Sequence, residues 1–163
     1  MVIDIWKKIE NARFSPIYLV YGNESFIINE TRQRIISHAI TEEEMDFNFS
    51  TYDLEETPVE VAIEDAETFP FMGERRVVIL QNPIFLTSEK SKGKVEHNVK
   101  RLEDYIQSPA PYTILVITAH YEKLDERKKI TKALKKAGEV VEAKKLSEQE
   151  LKSWIRERAT THG

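Results

Sequence analysis

The chain of 163 residues contains no cysteine. Disulfides, thiolate metal sites and a cysteine nucleophile are thereby excluded. Glycine is scarce at five residues, and none of them falls at the spacing a phosphate-binding loop requires. No apolar run approaches the ~20 residues of a membrane span. The opening Met1-Val2-Ile3-Asp4-Ile5-Trp6-Lys7-Lys8 puts an acid and two lysines where a secretory signal needs apolar residues. These absences predict a cytoplasmic protein without a membrane partner. An excess of positive charge is also missing: 24 Lys+Arg stand against 28 Asp+Glu, a net charge of -4. The chain as a whole therefore does not advertise nucleic-acid binding. Internal repeats and low-complexity segments are absent too.

What is present is a soluble globular composition, 40% hydrophobic and 32% charged. The length suits one domain, or one domain and the start of a second, and a domain of this size buries roughly 70% of its unfolded surface.

Helical and strand patterns alternate along the chain. Residues 2–11 read as a short helix with Ile5, Trp6 and Ile9 on one face. Ile17-Tyr18-Leu19-Val20-Tyr21 is almost wholly apolar, the mark of a strand covered on both faces. A turn at Gly22-Asn23 leads to a long helix over 24–40. The acidic run Glu42-Glu43-Glu44 reads as a solvated turn, and 47–53 alternates like a strand near a sheet edge. Thr57-Pro58-Val59-Glu60 predicts a capped helix start, and Val59, Ile63 and Ala66 supply its buried stripe. Strands follow at 75–81, 112–119 and 139–145, with helices at 94–107 and 125–137. Residues 87–93 form a polar connector, and Gly138 is placed to cap the second of those helices. Ser147-Glu148-Gln149-Glu150 is a second capping box, with Leu146 and Leu151 spaced as a hydrophobic staple. The helix it opens carries Leu151, Trp154 and Ile155, then runs out with nothing to pack on. The expectation is a five-stranded parallel α/β sheet with right-handed crossovers. Residues 1–146 form its domain, and 147–163 are the first helix of a further, truncated one.

The ligand sites such a fold often carries fail one by one. After the first strand a P-loop would read G-x-x-x-x-G-K-[ST]. Here Gly22-Asn23-Glu24-Ser25-Phe26-Ile27-Ile28-Asn29 lacks the second glycine and the lysine, and Glu24 sets negative charge where phosphate must sit. The third strand ends Leu80-Gln81-Asn82, without the acids that hold Mg²⁺. A dinucleotide site lacks its glycines. A phosphoacceptor site lacks the aspartate after the third strand, although Glu24 and Lys144 are suggestive. His38, His97, His120 and His162 show no metal-ligand spacing, and no serine sits in a nucleophile elbow. No cofactor is expected.

Two stretches keep two readings each. Arg127, Lys128, Lys132 and Lys135, with Lys129 and Lys136, make a very basic segment. It is either a solvated helix face or a patch for DNA or an acidic partner, and no aromatic interleaving supports single-strand binding. Thr68-Phe69-Pro70-Phe71-Met72-Gly73 is the stronger anomaly. A surface loop should be polar, yet this one carries two phenylalanines and a methionine. Either it tucks into the chain's own core, or it is a knob for a partner's pocket.

In order and spacing, several stretches together resemble the delta subunit of the bacterial DNA polymerase III clamp loader, in its Gram-positive style. They are Pro16-Ile17-Tyr18-Leu19-Val20-Tyr21-Gly22-Asn23-Glu24-Ser25-Phe26-Ile27, Thr68-Phe69-Pro70-Phe71-Met72-Gly73-Glu74-Arg75-Arg76-Val77-Val78, and Lys123-Leu124-Asp125-Glu126-Arg127-Lys128-Lys129, followed by the Leu151/Trp154/Ile155 helix. The resemblance implies an AAA+-like domain of strand order 5-1-4-3-2 without a working P-loop, continued by a helical lid and a collar domain. It implies a non-catalytic subunit in DNA replication, which binds the ring-shaped sliding clamp (the beta subunit) and opens it. The implied further partners are the tau/gamma and delta prime subunits and, in the assembled complex, primer-template DNA. By position the family's clamp-binding apolar pair falls on Pro70 and Phe71, with Thr68, Phe69 and Met72 adjacent. Proline there departs from the leucine of some relatives. A divergent P-loop NTPase and a nucleic-acid-binding module remain the competing readings.

Overall fold

The computed structural model describes residues 2–89 and 95–162. Five parallel strands form one sheet: β1 (Ile17–Gly22), β2 (Phe49–Asp53), β3 (Arg76–Gln81), β4 (Thr113–Ala119) and β5 (Glu139–Ala143). Their order is β2-β3-β4-β1-β5, which read from the other edge is the expected 5-1-4-3-2. The three central strands are buried along nearly their whole length, whereas β2 is half-exposed at its edge. That difference is why the central strands read as unbroken apolar runs and β2 as a more polar stretch.

Helices cover both faces. On one face lie α1 (Val2–Glu10) and α2 (Ser25–Ala39), with the long α7 (Glu148–His162) reaching the same layer through Trp154. Trp6 is buried there, and its indole N–H donates to Thr31 Oγ1 at 2.8 Å. On the other face lie α4 (Val59–Ala66), α5 (Val99–Gln107) and α6 (Lys129–Ala137). The apolar residues of each strand alternate between the two layers: Ile17, Leu19 and Tyr21 pack toward α4–α6, Tyr18 and Val20 toward α1 and α2.

Local chemistry departs from the sequence expectation at several places. Residues 47 and 48 are not strand but the end of a one-turn helix, α3 (Met45–Asn48), entered from a 3-10 turn at Glu42–Glu44. Phe47 is exposed and Asn48 buried, the reverse of their expected pleat. The capping box at α4 does not form. Thr57 makes no side-chain cap; instead the Val59 N–H donates to His97 Nδ1 (3.0 Å), and Glu60 accepts from the Asn98 N–H (3.2 Å). A residue 38 positions away thus caps a helix that its own sequence was expected to cap. Both later helices begin further on than their apolar periodicity predicts, α5 behind an Asn98 cap and α6 at Lys129.

Gly138 ends α6 with extended rather than left-handed backbone. Its need is space, because a Cβ there would stand 3.0 Å from the Ile17 side chain. Ser147 does cap α7, accepting from the Glu150 N–H at 3.2 Å. The staple is incomplete, since Leu146 packs on the core and Leu151 stays exposed. The connector expected at 87–93 is described only as far as Glu89, and Lys94 and Gly163 also lie outside the described residues.

Candidate functional site

The chain from the end of α4 to the start of β3 stands out from the amino-terminal end of the sheet. Phe69 is 76% exposed, Phe71 55% and Met72 85%. The loop therefore does not tuck into the chain's own core. The exposure is built in, because the backbone that carries these side chains is tied down from behind.

Two residues, Arg76 and Asn48, do the tying. Arg76, the first residue of β3, is buried and turns its guanidinium back under the loop. Its Nε donates to the Thr68 carbonyl (3.1 Å), Nη2 to the Phe69 carbonyl (3.2 Å) and Nη1 to Asp65 Oδ1 (3.1 Å). Asp65, on the last turn of α4, is held in turn by the Tyr52 hydroxyl from β2 (2.6 Å). Burial and the Asp65 carboxylate push the Tyr52 phenol up to about 12. At the far end Asn48, fully buried on α3, treats Phe71 as a strand neighbour would. The Phe71 N–H donates to Asn48 Oδ1 (2.6 Å), and Asn48 Nδ2 donates to the Phe71 carbonyl (2.8 Å).

The tip has its own constraints. Met72 adopts φ +55, a conformation that costs an L-residue about 1–3 kcal/mol. A Cβ at Gly73 would run into the Glu44 carboxylate and approach Asn48 Nδ2 to 2.8 Å, so a side chain there would have to displace Glu44 and press on the Asn48 amide. Two aromatic neighbours brace the phenylalanines. The Phe69 ring lies 4.8 Å from that of Tyr112, whose hydroxyl donates to the Glu67 carbonyl, and the Phe71 ring lies 5.4 Å from that of Phe47. Phe47 is itself 53% exposed. Phe47, Asn48, Asp65, Arg76 and Tyr112 are site residues that sequence reasoning passed over. An arginine opening a buried strand was the one signal available beforehand.

The basic segment is drawn into local pairs. Arg127 bonds Asp125, Lys128 Nζ donates to the Phe85 carbonyl (2.9 Å), Lys129 faces Glu103 (3.6 Å) and Lys135 meets Tyr21 (3.3 Å) and Glu126. Lys132 and Lys136 are the cations left exposed on that helix without an ion pair among the described residues. These side chains do not converge with the loop residues on one site.

At the other end of the sheet, the turn after β1 is closed. The N–H groups of Asn23 and Glu24, which a phosphate would need, both donate to the Ala143 carbonyl at 3.1 Å. Gly22 takes φ +142, and a Cβ there would strike that carbonyl group. After β3, Asn82 bonds Asp53 (3.0 Å). Among the described residues no cluster of His, Asp or Glu could hold a metal ion.

Comparison with known proteins decides the family. The family described as DNA polymerase III, delta subunit, matches residues 18–144. The chain belongs to the DNA polymerase III delta subunit family. A curated relative, DNA polymerase III subunit delta of Bacillus subtilis strain 168, is 57% identical over 150 residues, 92% of this chain and 43% of that protein. A solved Bacillus subtilis DNA clamp loader delta protein superposes with a TM-score of 0.90 at 54% identity, over 99% of this chain and 48% of that one. The chain therefore spans under half the length of each of these delta relatives. A Thermotoga maritima protein related to the gamma subunit shares the fold alone (TM-score 0.57, 11% identity, over 91% of this chain and 47% of that one). As a delta-family chain, its exposed apolar loop is now set within a clamp-loader subunit fold.

Proposed function

We propose that the loop from Thr68 to Met72 is the element by which this delta-family chain binds a sliding clamp, with Phe71 and Phe69 entering an apolar pocket of the clamp. The observation that carries this reading is three large apolar side chains held in solvent by a backbone that Arg76 and Asn48 fix from beneath. Exposed apolar groups on a rigid mount suit docking, since burying one phenylalanine contributes roughly 1.5–3 kcal/mol and little ordering cost remains to be met. No bond needs to be made or broken. A clamp conformation with a sprung interface is favoured to the extent that the loop binds it better than the closed ring.

The chain's role in this proposal is non-catalytic. The backbone donors where a nucleotide's phosphates would sit are already bonded to Ala143, so ATP is hydrolysed by other loader subunits. Residues 1–146 act as the clamp-binding domain. The α7 segment, from 147 on, is the first helix of the lid, and the full-length protein joins tau/gamma and delta prime around primer-template DNA in the cytoplasm. Arg127, Lys128, Lys132 and Lys135 contribute at most a weak patch to such an assembly, because three of the four are engaged locally.

Titration of the clamp with this chain in a calorimeter tests the reading. Phe71→Ala is expected to weaken binding by ~2 kcal/mol or more while leaving the thermal midpoint within a few degrees. Clamp affinity unchanged in both Phe71→Ala and Phe69→Ala removes the loop from the interface.

A further inference from the structure

The loop is only half of the knob. Its tip rests on a second, distant piece of chain, the turn and short helix over residues 44–48, and three independent contacts join the two. The Asn48 side chain pairs with both backbone groups of Phe71, at 2.6 and 2.8 Å. The Phe47 ring tilts against the Phe71 ring at 5.4 Å. Gly73 brings the loop so close to Glu44 and Asn48 that a Cβ there would meet both side chains.

Neighbouring residues thus take opposite parts. Asn48 is wholly buried beneath the loop, whereas Phe47 is 53% exposed beside it. An amide buried in this way, with both its oxygen and its nitrogen engaged, holds a backbone more rigidly than a single bond does. An aromatic ring left half in water next to an apolar anchor adds contact area where interface energy concentrates.

We propose that Phe47 is a contact residue of the same docking surface and that Asn48 is the positioning residue that aims Phe71. The proposal rests on the clamp-binding reading of the loop and extends it to a second segment. The partner is the same sliding clamp, whose apolar pocket takes the Phe47 ring beside that of Phe71 in addition to Phe69. Asn48 acts on the partner only through Phe71, and Phe47 acts directly.

A double-mutant cycle separates these roles from a general loss of fold. With the 163-residue chain titrated into the clamp, Phe47→Ala is expected to weaken binding about fivefold and Asn48→Ala about tenfold. In a Phe71→Ala background, Asn48→Ala should add almost nothing, because there is no ring left to aim. Free of any partner, Asn48→Ala should also speed hydrogen exchange of the Phe71 amide while amides of β3 and β4 keep their protection. If Phe71→Ala weakens binding but Phe47→Ala and Asn48→Ala do not, this proposal is overturned and the loop reading stands. If Asn48→Ala costs as much with Phe71 absent as present, its role is structural and the positioning claim fails. If Phe71→Ala and Phe69→Ala both leave binding intact, the loop reading falls and this proposal with it.

Discussion

At the scale of single residues, the molecule shows that a side chain's job is set by what folds against it. Thr57 has the residue type and position of a helix cap, yet His97 takes the bond. The expected outcome is that Thr57→Ala changes stability by only a few tenths of a kcal/mol, whereas His97→Ala removes a cap and costs about 1 kcal/mol. Urea denaturation of the two variants measures both, and equal losses would contradict the assignment. Asn48 makes the same point at the site. Its alternation with Phe47 and Phe49 looked like a pleat, and nothing in the local sequence says that residue 71 will claim its amide. The apolar content of residues 68–73 was legible; which way the loop faced was not. Composition reports that large side chains are present, and only the packing around Arg76 decides that they stay in water.

At the scale of elements, the long periodic segments were the readable ones. The central strands are apolar because both faces are covered, and the edge strand β2 is only partly buried and correspondingly more polar; both facts are written directly in residue order. Short elements were not readable. A one-turn helix such as α3 has too few residues for a period, and it exists here because it seats Asn48 under the loop. The junction of α4 with β3 depends on one buried ion pair, Arg76 with Asp65, plus two bonds from Arg76 to loop carbonyls. Arg76→Ala would take this donor from both carbonyls and leave Asp65 with the Tyr52 hydroxyl but no cation beside it. A loss of about 3 kcal/mol or more of stability is expected. Arg76→Lys should recover only part of it, since an ammonium cannot reproduce the planar fork. Chemical denaturation checks this, and near-complete recovery by lysine would show that charge alone suffices.

For the whole molecule, the two cores lie on either side of one continuous sheet, so the domain is expected to unfold as a unit. Its response to alkali follows from two phenols. Burial, chiefly, pushes Tyr52 and Tyr105 up to about 12 in the folded chain, against about 10 when unfolded. The unfolded state releases those protons first. The contribution of these phenols to stability should therefore be level below about pH 10 and fall away as pH rises toward 12. Tyr52→Phe should make that fall shallower, and urea midpoints measured across that range would show it. An identical slope in the variant would mean that Tyr52 ionises as freely in the fold as outside it.

The parallel sheet has two unlike ends. The exposed apolar loop leaves from the side where β3 and β4 begin, while the Gly22 turn and the approach to α7 lie where β1 and β5 finish. A six-residue strand sets those ends roughly 20 Å apart, with a stiff, fully bonded ladder between them. Whatever docks at one end leaves the other sterically free. Under the proposed clamp-binding role, the domain would serve as a coupling rod, carrying a push applied through α7 to whatever the loop grips at the opposite tip with little give in between.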